Sequence, residues 1–557
     1  MNLERHWRLG VVLAATLATF RHVTGLPFSI VDDPSFVLHN PFVIDPFGQG
    51  LVALLRTTSM GYPHTITILS LAFDRLLFGT APAGYHAMNL GVHLLNVVLL
   101  YALLLRFRTG LRTAAAAAAL FALHPIVVEP VCWVIGRKDL LSTTLLLAGL
   151  LVFAGRPSGP PRVSVARYVA GDALCIAAML AKPSAMTAPG LVWVLLRCVR
   201  PAESFGRLVL GLAPQAVAAA LIVLTGVSGL HEQGAVVVRT PIQIAGDIVR
   251  AWSLQLRNVV WPRGLVAEYE RTAASDPSPA VIALACIATL ALLFHVGRRH
   301  PRRSLERVPI AFVALAYLPV AGFLPTQHWT ADSYFYLPLV GVAIAAATIL
   351  ARPWRHLAGF AYVALALAVL SFVQTRAWSG PVAMFRPVAD RYVDDPRPLN
   401  RLAFAYLQEN QPVAAARAYV DLDETFPDHP FNRGERAWAY ALLGDLERSD
   451  EVYRRCVALG DAECASRLFF DVLGGQRRAR DVSPELLAAV YPVAAPVLPR
   501  RLDSRGLRTL ADWLRRAELD ELAARAEAAS YVSHRLAGAS REGAGAAADE
   551  AARSAPR

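Results

Sequence analysis

Two adjacent carboxylates, Asp32 and Asp33, stand in the stretch I-V-D-D-P-S-F-V-L-H-N, residues 30–40, just after the first short apolar segment of the chain. A carboxylate pair where a chain leaves a bilayer can ligate a divalent cation or take a proton from a hydroxyl, so both are expectations for this loop. Asp-Asp-Pro is equally good turn chemistry, because Asp bonds its own backbone and Pro fixes φ. A second concentration of ionisable groups lies in F-A-L-H-P-I-V-V-E-P-V-C-W-V-I-G-R-K-D-L-L, residues 121–141, which holds His124, Glu129, Arg137, Lys138 and Asp139. Charges at membrane depth are costly unless paired or serving a site, and their density predicts a polar pocket. Snorkelling side chains at helix ends, with Asp139 as an N-cap, would account for the same residues.

Lysine usage sharpens the expectation. The chain has 55 basic residues of the Lys and Arg types, and lysine occurs only at Lys138 and Lys182, each in a turn. A compact ammonium beside a planar guanidinium suits a phosphate held at a membrane interface. Arg137, Lys138, Lys182 and the imidazole of His328, in Q-H-W-T-A-D-S-Y, therefore form the expected phosphate grip. His86, His124, Glu129, Asp139 and Asp332 are expected to line the pocket. His86 belongs to a polar series with Tyr85, Asn89, His93 and Asn96 at helical spacing, where packing hydrogen bonds compete with a pocket wall. No C-x-x-C or H-E-x-x-H metal spacing occurs.

The elements that must position these groups are membrane helices. With 557 residues, 55% hydrophobic and 18% charged, and a mean hydropathy of +0.40, the composition excludes an ordinary soluble domain. The expected fold is all-α: a polytopic membrane domain over residues 1–376, a linker over 377–396, a helical repeat domain over 397–536 and a disordered tail over 537–557. About eleven spans are expected, at 7–20, 86–105, 113–131, 139–154, 168–181, 184–199, 208–227, 279–296, 309–324, 334–350 and 357–375. The formal charge of +12 comes from basic clusters between these apolar blocks, which orient spans and argue against nucleic-acid binding. If residues 241–261 lie at the interface instead of crossing, arginines at 5–8, 106–112, 156–167, 197–207, 298–307 and 352–355 all fall on one side. The amino terminus is then cytoplasmic. The Asp32/Asp33 loop, Arg137–Asp139, Lys182, residues 226–278 and 327–332, and everything after Trp378 share the outer side of what is expected to be a bacterial inner membrane.

Beyond the membrane domain, Ala403-Phe404-Ala405-Tyr406 recurs as Ala437-Trp438-Ala439-Tyr440 and Tyr419 recurs as Tyr453, at an offset of 34 residues. That period with small and aromatic residues is the tetratricopeptide signature, and predicts an α-solenoid that recruits protein partners or presents an acceptor. Of six cysteines, Cys132, Cys175, Cys198 and Cys286 read as small apolar fillers, whereas Cys456 and Cys464 can pair if the repeats are extracytoplasmic.

The runs D-D-P-S-F-V-L-H-N-P-F-V, A-G-Y-H-A-M-N-L-G-V-H-L-L-N, L-H-P-I-V-V-E-P-V-C-W-V-I-G-R-K-D-L-L, A-K-P-S-A-M-T and A-D-S-Y-F-Y-L-P-L-V-G, in this order, resemble the transmembrane and tetratricopeptide-repeat O-mannosyltransferases and their bacterial relatives, which are GT-C type glycosyltransferases. The likeness runs over residues 32–339 and the repeats. It implies transfer of a sugar from a polyprenyl-phosphate carrier, itself a membrane lipid, to a protein or glycan acceptor on the outer side. It also implies that Asp32 and Asp33 are the catalytic acids, with Arg137 and Asp139 beside the site. Two positions differ from the resembling chains: Pro63-His64-Thr65 stands where they often have Y-R-P, and Ala331-Asp332-Ser333-Tyr334 where bacterial relatives often have A-D-R-Y. The competing readings are a non-catalytic membrane scaffold carrying the repeats and a transporter. Against transport, the ionisable residues gather at one face, whereas a transporter's lie along a path through the midplane.

Overall fold

The computed structural model describes residues 3–530 except 57, 60–61, 108, 156–162, 201–202, 233–239, 271–278, 288, 290–307, 322–328, 351–356, 475–477, 479–480 and 517. The chain divides into two compact units, Met1–Tyr392 and Val393–Arg557. Among the described residues it is all-α, apart from a two-residue antiparallel ladder pairing Thr58–Ser59 with Tyr62–Pro63.

The first unit is a bundle of apolar helices, the form in which a lipid-facing backbone satisfies its own polar groups. Helix α1 is Leu3–Thr19, α2 Thr65–Phe78, α3 Pro82–Arg106 and α4 Leu111–Leu123. They are followed by α5, Arg137–Ala154; α6, Val165–Ala181; α7, Ala188–Val199; α8, Phe205–Glu232; and α9, Pro241–Val260. By length and composition Pro82–Arg106, Phe205–Gly226 and Ala358–Trp378 can each cross a membrane. Leu111–Leu123 and Pro125–Cys132 pass the same test together, bent by 53°. These helices mark an integral membrane protein. Helix α5 packs on α3 and α6, and α4 packs on α1 and α3. The alanines at positions 114–119 are buried around α4, which also packs on the later helices Tyr336–Leu350 and Leu357–Gln374, where small side chains let backbones approach.

The bend corrects one expectation. Residues 113–131 were expected as one span, but α4 stops at Leu123 because His124 precedes a proline, which disfavours helical geometry; His124 is extended at φ −73, ψ 134. The chain then folds through the 3-10 turn Pro125–Val127, the short helix Val128–Cys132 and the 3-10 turn Val134–Gly136 before α5 begins. The result is a ledge between two membrane helices, and it carries Glu129, Arg137, Lys138 and Asp139. The Asp32/Asp33 loop closes into the single π-helical turn Pro34–Leu38. Its Phe36 and Val37 pack with Ile68, Leu71, Tyr85, Val134 and Ile135, which seats the loop on the ledge.

Helix α9 has one buried face and starts at a capping box between Thr240 and Gln243, while Ile242, Val260 and Trp261 on its other face are exposed. Further on come α10, Val308–Tyr317; α11, Tyr336–Leu350; and α12, Leu357–Gln374. Residues 377–396, expected as a linker, instead contain helix α13, Pro381–Arg391, whose Val388 is buried with Leu254, Val266, Tyr269 and Tyr392. The apolar side of α13 belongs to the first unit, and a free linker would leave it in water.

In the second unit, α14 (Pro396–Gln408), α15 (Pro412–Thr425), α16 (Arg433–Leu442) and α17 (Leu446–Ala458) each pack on the next. Of the small and aromatic residues that recur 34 positions apart, Ala403 and Ala437, Tyr406 and Tyr440, Tyr419 and Tyr453 are buried packing residues, whereas Phe404 is exposed where its counterpart Trp438 is buried. Helices α18, Ala462–Leu473; α19, Pro484–Ala494; and α20, Ser504–Arg516 continue the stack. The tail at 537–557 lies outside the described residues. Cys456 in α17 and Cys464 in α18 are joined by a disulfide, with Cα atoms 5.9 Å apart, and the other cysteines are free. Alkylation of the denatured, unreduced protein is expected to label four cysteines and spare two. Six labelled positions would contradict the pairing.

Candidate functional site

The two loop acids have different surroundings. Asp33 is completely buried, and its carboxylate accepts the Ser29 N–H at 2.7 Å and the Ile135 N–H at 3.1 Å. Burial pushes its carboxyl up to about 7, against the pull of backbone N–H groups of Ser29, Ile135 and Val134, with neighbouring Asp32 adding to the rise. Asp33 is therefore a clasp that ties the loop to the ledge. Asp32 lies close enough for Lys138 to feel its charge.

The three residues opening α5 point to three different partners. Arg137 turns inward and is fully buried. It donates through Nε to Asn89 Oδ1, through Nη1 to Ser70 Oγ at 2.8 Å, and through Nη2 to Asp74 Oδ2 at 2.7 Å and the Tyr85 carbonyl at 2.9 Å. This does not match its expected role in the phosphate grip: four of its five N–H groups go to protein acceptors and none of it is exposed, so this guanidinium ties helices together. Lys138 sits 4.8 Å from the centre of the Trp133 ring and within reach of the charges of Lys182, Asp139, Asp32 and Glu129. Asp139 pairs with Lys182, whose ammonium also lies 5.3 Å from the Tyr334 ring centre. Asp139 is thus not the helix cap, a position that Gly136 takes.

The remaining expected lining residues divide. Glu129 accepts the Ser333 N–H at 3.3 Å, and Asp332 accepts from Tyr269 Oη at 2.8 Å and from Asn258 Nδ2 at 3.3 Å. These bonds bring α9 and the segment before α11 onto the ledge. His124 is structural: Nδ1 accepts the Ile126 N–H at 3.2 Å and Nε2 lies 3.0 Å from the Val259 carbonyl. His86 is buried with Nε2 3.2 Å from the Pro27 carbonyl. His328 is outside the described residues. In the polar series on α3, packing prevails at Asn89, His93 and Asn96, which hydrogen-bond Arg137, Tyr336 and Leu140.

One neighbour of the lysines was not foreseen. His64 is buried with Nδ1 3.3 Å from the Ala181 carbonyl, just before Lys182. Burial, with the ammonium groups of Lys138 and Lys182 adding to it, pushes the imidazole down to about 3. It is neutral, its Nδ1 hydrogen goes to Ala181, and its Nε2 keeps an acceptor lone pair. The only signal in the sequence was that His64 occupies a position where resembling chains often have arginine.

Of the two loop acids, Asp33 is the one already committed to the protein. Both Asp33 oxygens already accept backbone N–H groups, and among the described residues no three His, Cys, Asp or Glu side chains gather as a ligand set. The ledge instead offers one carboxylate, Asp32, opposite an ammonium, Lys138, that no carboxylate pairs with among the described residues. Lys182 and Asp139 stand beside them as a bonded pair.

Sequence comparison finds similar stretches in curated proteins. The chain is 32% identical over 183 residues to protein O-mannosyl-transferase Tmtc3 of Drosophila melanogaster, covering 28% of this chain and 19% of that protein. It is 32% identical over 130 residues to the Mus musculus TMTC3, covering 23% and 14%, and 28% identical over 169 residues to the Drosophila melanogaster Tmtc1, covering 28% and 19%. The chain resembles the TMTC protein O-mannosyl-transferases over these stretches, which span less than a fifth of each relative. No family model matches the chain, and no solved structure matches it significantly. The relatives are animal proteins and lend no support to the bacterial inner membrane expected from the sequence.

Two outcomes follow from this geometry. Arg137→Ala leaves Asp74 buried without its partner and is expected to cost about 3–5 kcal/mol, read as a lowered melting temperature in detergent; an unchanged value would contradict the network. Because the folded-state pKa of Asp33 is raised, its stabilising contribution is full below its unfolded value near 3.8 and is lost as pH rises through about 7. The melting temperature should therefore fall between pH 5 and pH 8 by more in the native chain than in Asp33→Asn, and equal slopes would oppose the assignment.

Proposed function

We propose that this membrane chain, similar to protein O-mannosyl-transferases, moves a sugar from a polyprenyl-phosphate carrier to a hydroxyl on a protein or glycan acceptor at the outer side of the membrane. The observation that carries the reading is Lys138. Arg137 goes to Asp74 and Lys182 goes to Asp139, so Lys138 is the ammonium left for an incoming anion, with the Asp32 carboxylate beside it. In the proposed step the acceptor oxygen bonds the anomeric carbon as the bond from that carbon to the phosphate oxygen breaks, inverting the centre. The hydroxyl proton passes to Asp32, and the electron pair of the broken bond leaves on the phosphate, whose growing charge Lys138 meets. A phosphate leaving group needs no separate acid. Asp33 acts as a positioning residue that holds Asp32 against the ledge.

The wider reading has a GT-C type bundle of about eleven spans with the amino terminus cytoplasmic, argued from the arginine asymmetry. The second unit is proposed as a tetratricopeptide-type solenoid that presents a polypeptide acceptor or recruits partners. The disulfide between Cys456 and Cys464 supports an oxidising, extracytoplasmic setting for it.

The test is sugar transfer from a labelled polyprenyl-phosphate donor by membranes carrying matched amounts of each variant. Asp32→Asn is expected to lower turnover by about 100-fold or more, the usual scale for loss of a general base. Lys138→Ala is expected to raise the apparent donor KM by about tenfold, with partial recovery in Lys138→Arg. Full turnover in Asp32→Asn would remove the mechanism and leave a membrane scaffold for the repeats as the better reading.

A further inference from the structure

At the other end of α5, roughly 27 Å from Arg137 at 1.5 Å per residue, a second charged site is assembled from four helix ends. Arg106, at the end of α3, donates through Nη1 to the Gly155 carbonyl at 2.8 Å. Arg200, just after α7, is buried and donates through Nη2 to the Ala154 carbonyl at 2.8 Å. Arg167, in the first turn of α6, packs its guanidinium over Gly155 from the remaining side. Gly155 has φ +62, and a methyl group there would overlap the guanidinium groups of both Arg167 and Arg200.

The closing carbonyls of α5 carry negative partial charge and account for Arg106 and Arg200. They do not account for Arg167, whose Nη1 is buried with no hydrogen-bond partner. Its closeness to Arg200 sets like charges against each other. The acid nearby, Glu203, is engaged by the Val163 N–H at 3.2 Å, the Tyr168 hydroxyl at 3.3 Å and Arg207 at 3.8 Å. Three guanidinium groups thus meet at one glycine, and among the described residues Glu203, whose charge is felt by Arg200, is the acid beside them.

We infer that Arg167, Arg200 and Arg106 around Gly155 form a binding site for a phosphate group. Phosphate oxygens match the fork of a guanidinium, and one phosphate can accept from Arg167 and Arg200 together, which relieves their repulsion. The position fits a lipid headgroup. These are the ends of membrane helices, on the side that the arginine asymmetry assigns to the cytoplasm, where anionic phospholipids concentrate and basic pockets between helices hold their headgroups. The site is separate from the ledge and does not depend on the transferase reading.

The test uses the full chain in lipid nanodiscs and reads its melting temperature. Phosphatidylglycerol mixed into phosphatidylcholine is expected to raise the melting temperature of the native chain above that in phosphatidylcholine alone. Arg167→Gln should lose most of that gain and Arg167→Lys, which keeps the charge without the fork, part of it, whereas the same-side control Arg112→Gln should keep it. Inorganic phosphate added to phosphatidylcholine nanodiscs distinguishes the sources: an equal gain that Arg167→Gln abolishes assigns a free phosphate, and no gain assigns the lipid. If neither ligand raises the melting temperature, or if Arg167→Gln keeps the full gain, the site is overturned. Native mass spectrometry of the unmutated chain gives a reading that needs no folded variant. Retention of phosphatidylglycerol over phosphatidylcholine by about tenfold, near 1.4 kcal/mol, is expected, and equal retention overturns the proposal.

Discussion

A guanidinium with no exposed surface is the constraint around which the membrane unit is arranged. Taking Arg137 out of water costs several kcal/mol unless its charge and its N–H groups are met. They are met by Asp74 and Ser70 from α2, by Asn89 and the Tyr85 carbonyl from α3, and by nothing from solvent. Those bonds exist only if α2, α3 and the start of α5 stand at one mutual position. Successive helical residues point about 100° apart, so turning Arg137 inward sends Lys138 toward Trp133 and Asp32, and Asp139 toward Lys182. The buried ion pair thereby sets the directions in which Lys138 and Asp139 point.

The loop carrying Asp32 is held by a second buried polar group. Asp33 receives N–H groups from Ser29 and from Ile135, one on its own loop and one on the ledge, and Phe36 and Val37 seal the same contact with apolar surface. Of two neighbouring acids, one becomes part of the framework and the other is left to meet a ligand. The ledge exists because His124-Pro125 ends α4 early. Lipid-exposed backbone could not break off in that way, but here the turn is buried in protein, and the His124 side chain accepts the freed Ile126 N–H.

The same economy of paired charge separates the two ends of α5. At its start the opposite charges are matched, Arg137 with Asp74 and Lys182 with Asp139, and Lys138 is the cation that no carboxylate pairs with among the described residues. At its end the arginines outnumber the acid near them, and helix carbonyls take part of the excess. In the second unit, buried Arg436 pairs with Asp423 and buried Asp471 with Arg467. Arg436 donates to Asp423 and to the carbonyls of Phe426, His429 and Phe431, and the Tyr453 hydroxyl donates to Asp471.

Composition and apolar block length were enough to determine an all-α membrane chain with a second helical unit, because the hydrophobic effect and backbone satisfaction act on local patterns that a sequence displays directly. The 34-residue recurrence likewise named the packing residues Ala403, Tyr406 and Tyr419 before any coordinates, since each repeat buries the same face. The density of charge around residue 137 pointed to the ledge, where buried and paired charges do gather, and the rarity of lysine singled out Lys138. Which charge does what was not legible there. Arg137, Lys138 and Asp139 are neighbours in sequence, and only the angular step of a helix and the partners waiting on α2, α3 and Lys182 separate framework from free cation. His64 lies by the two lysines, while His86 and His124 meet backbone carbonyls of Pro27 and Val259, for the same reason. A side chain's task in a buried place is set by the donors and acceptors that other segments bring to it, and that meeting is a property of the tertiary structure alone.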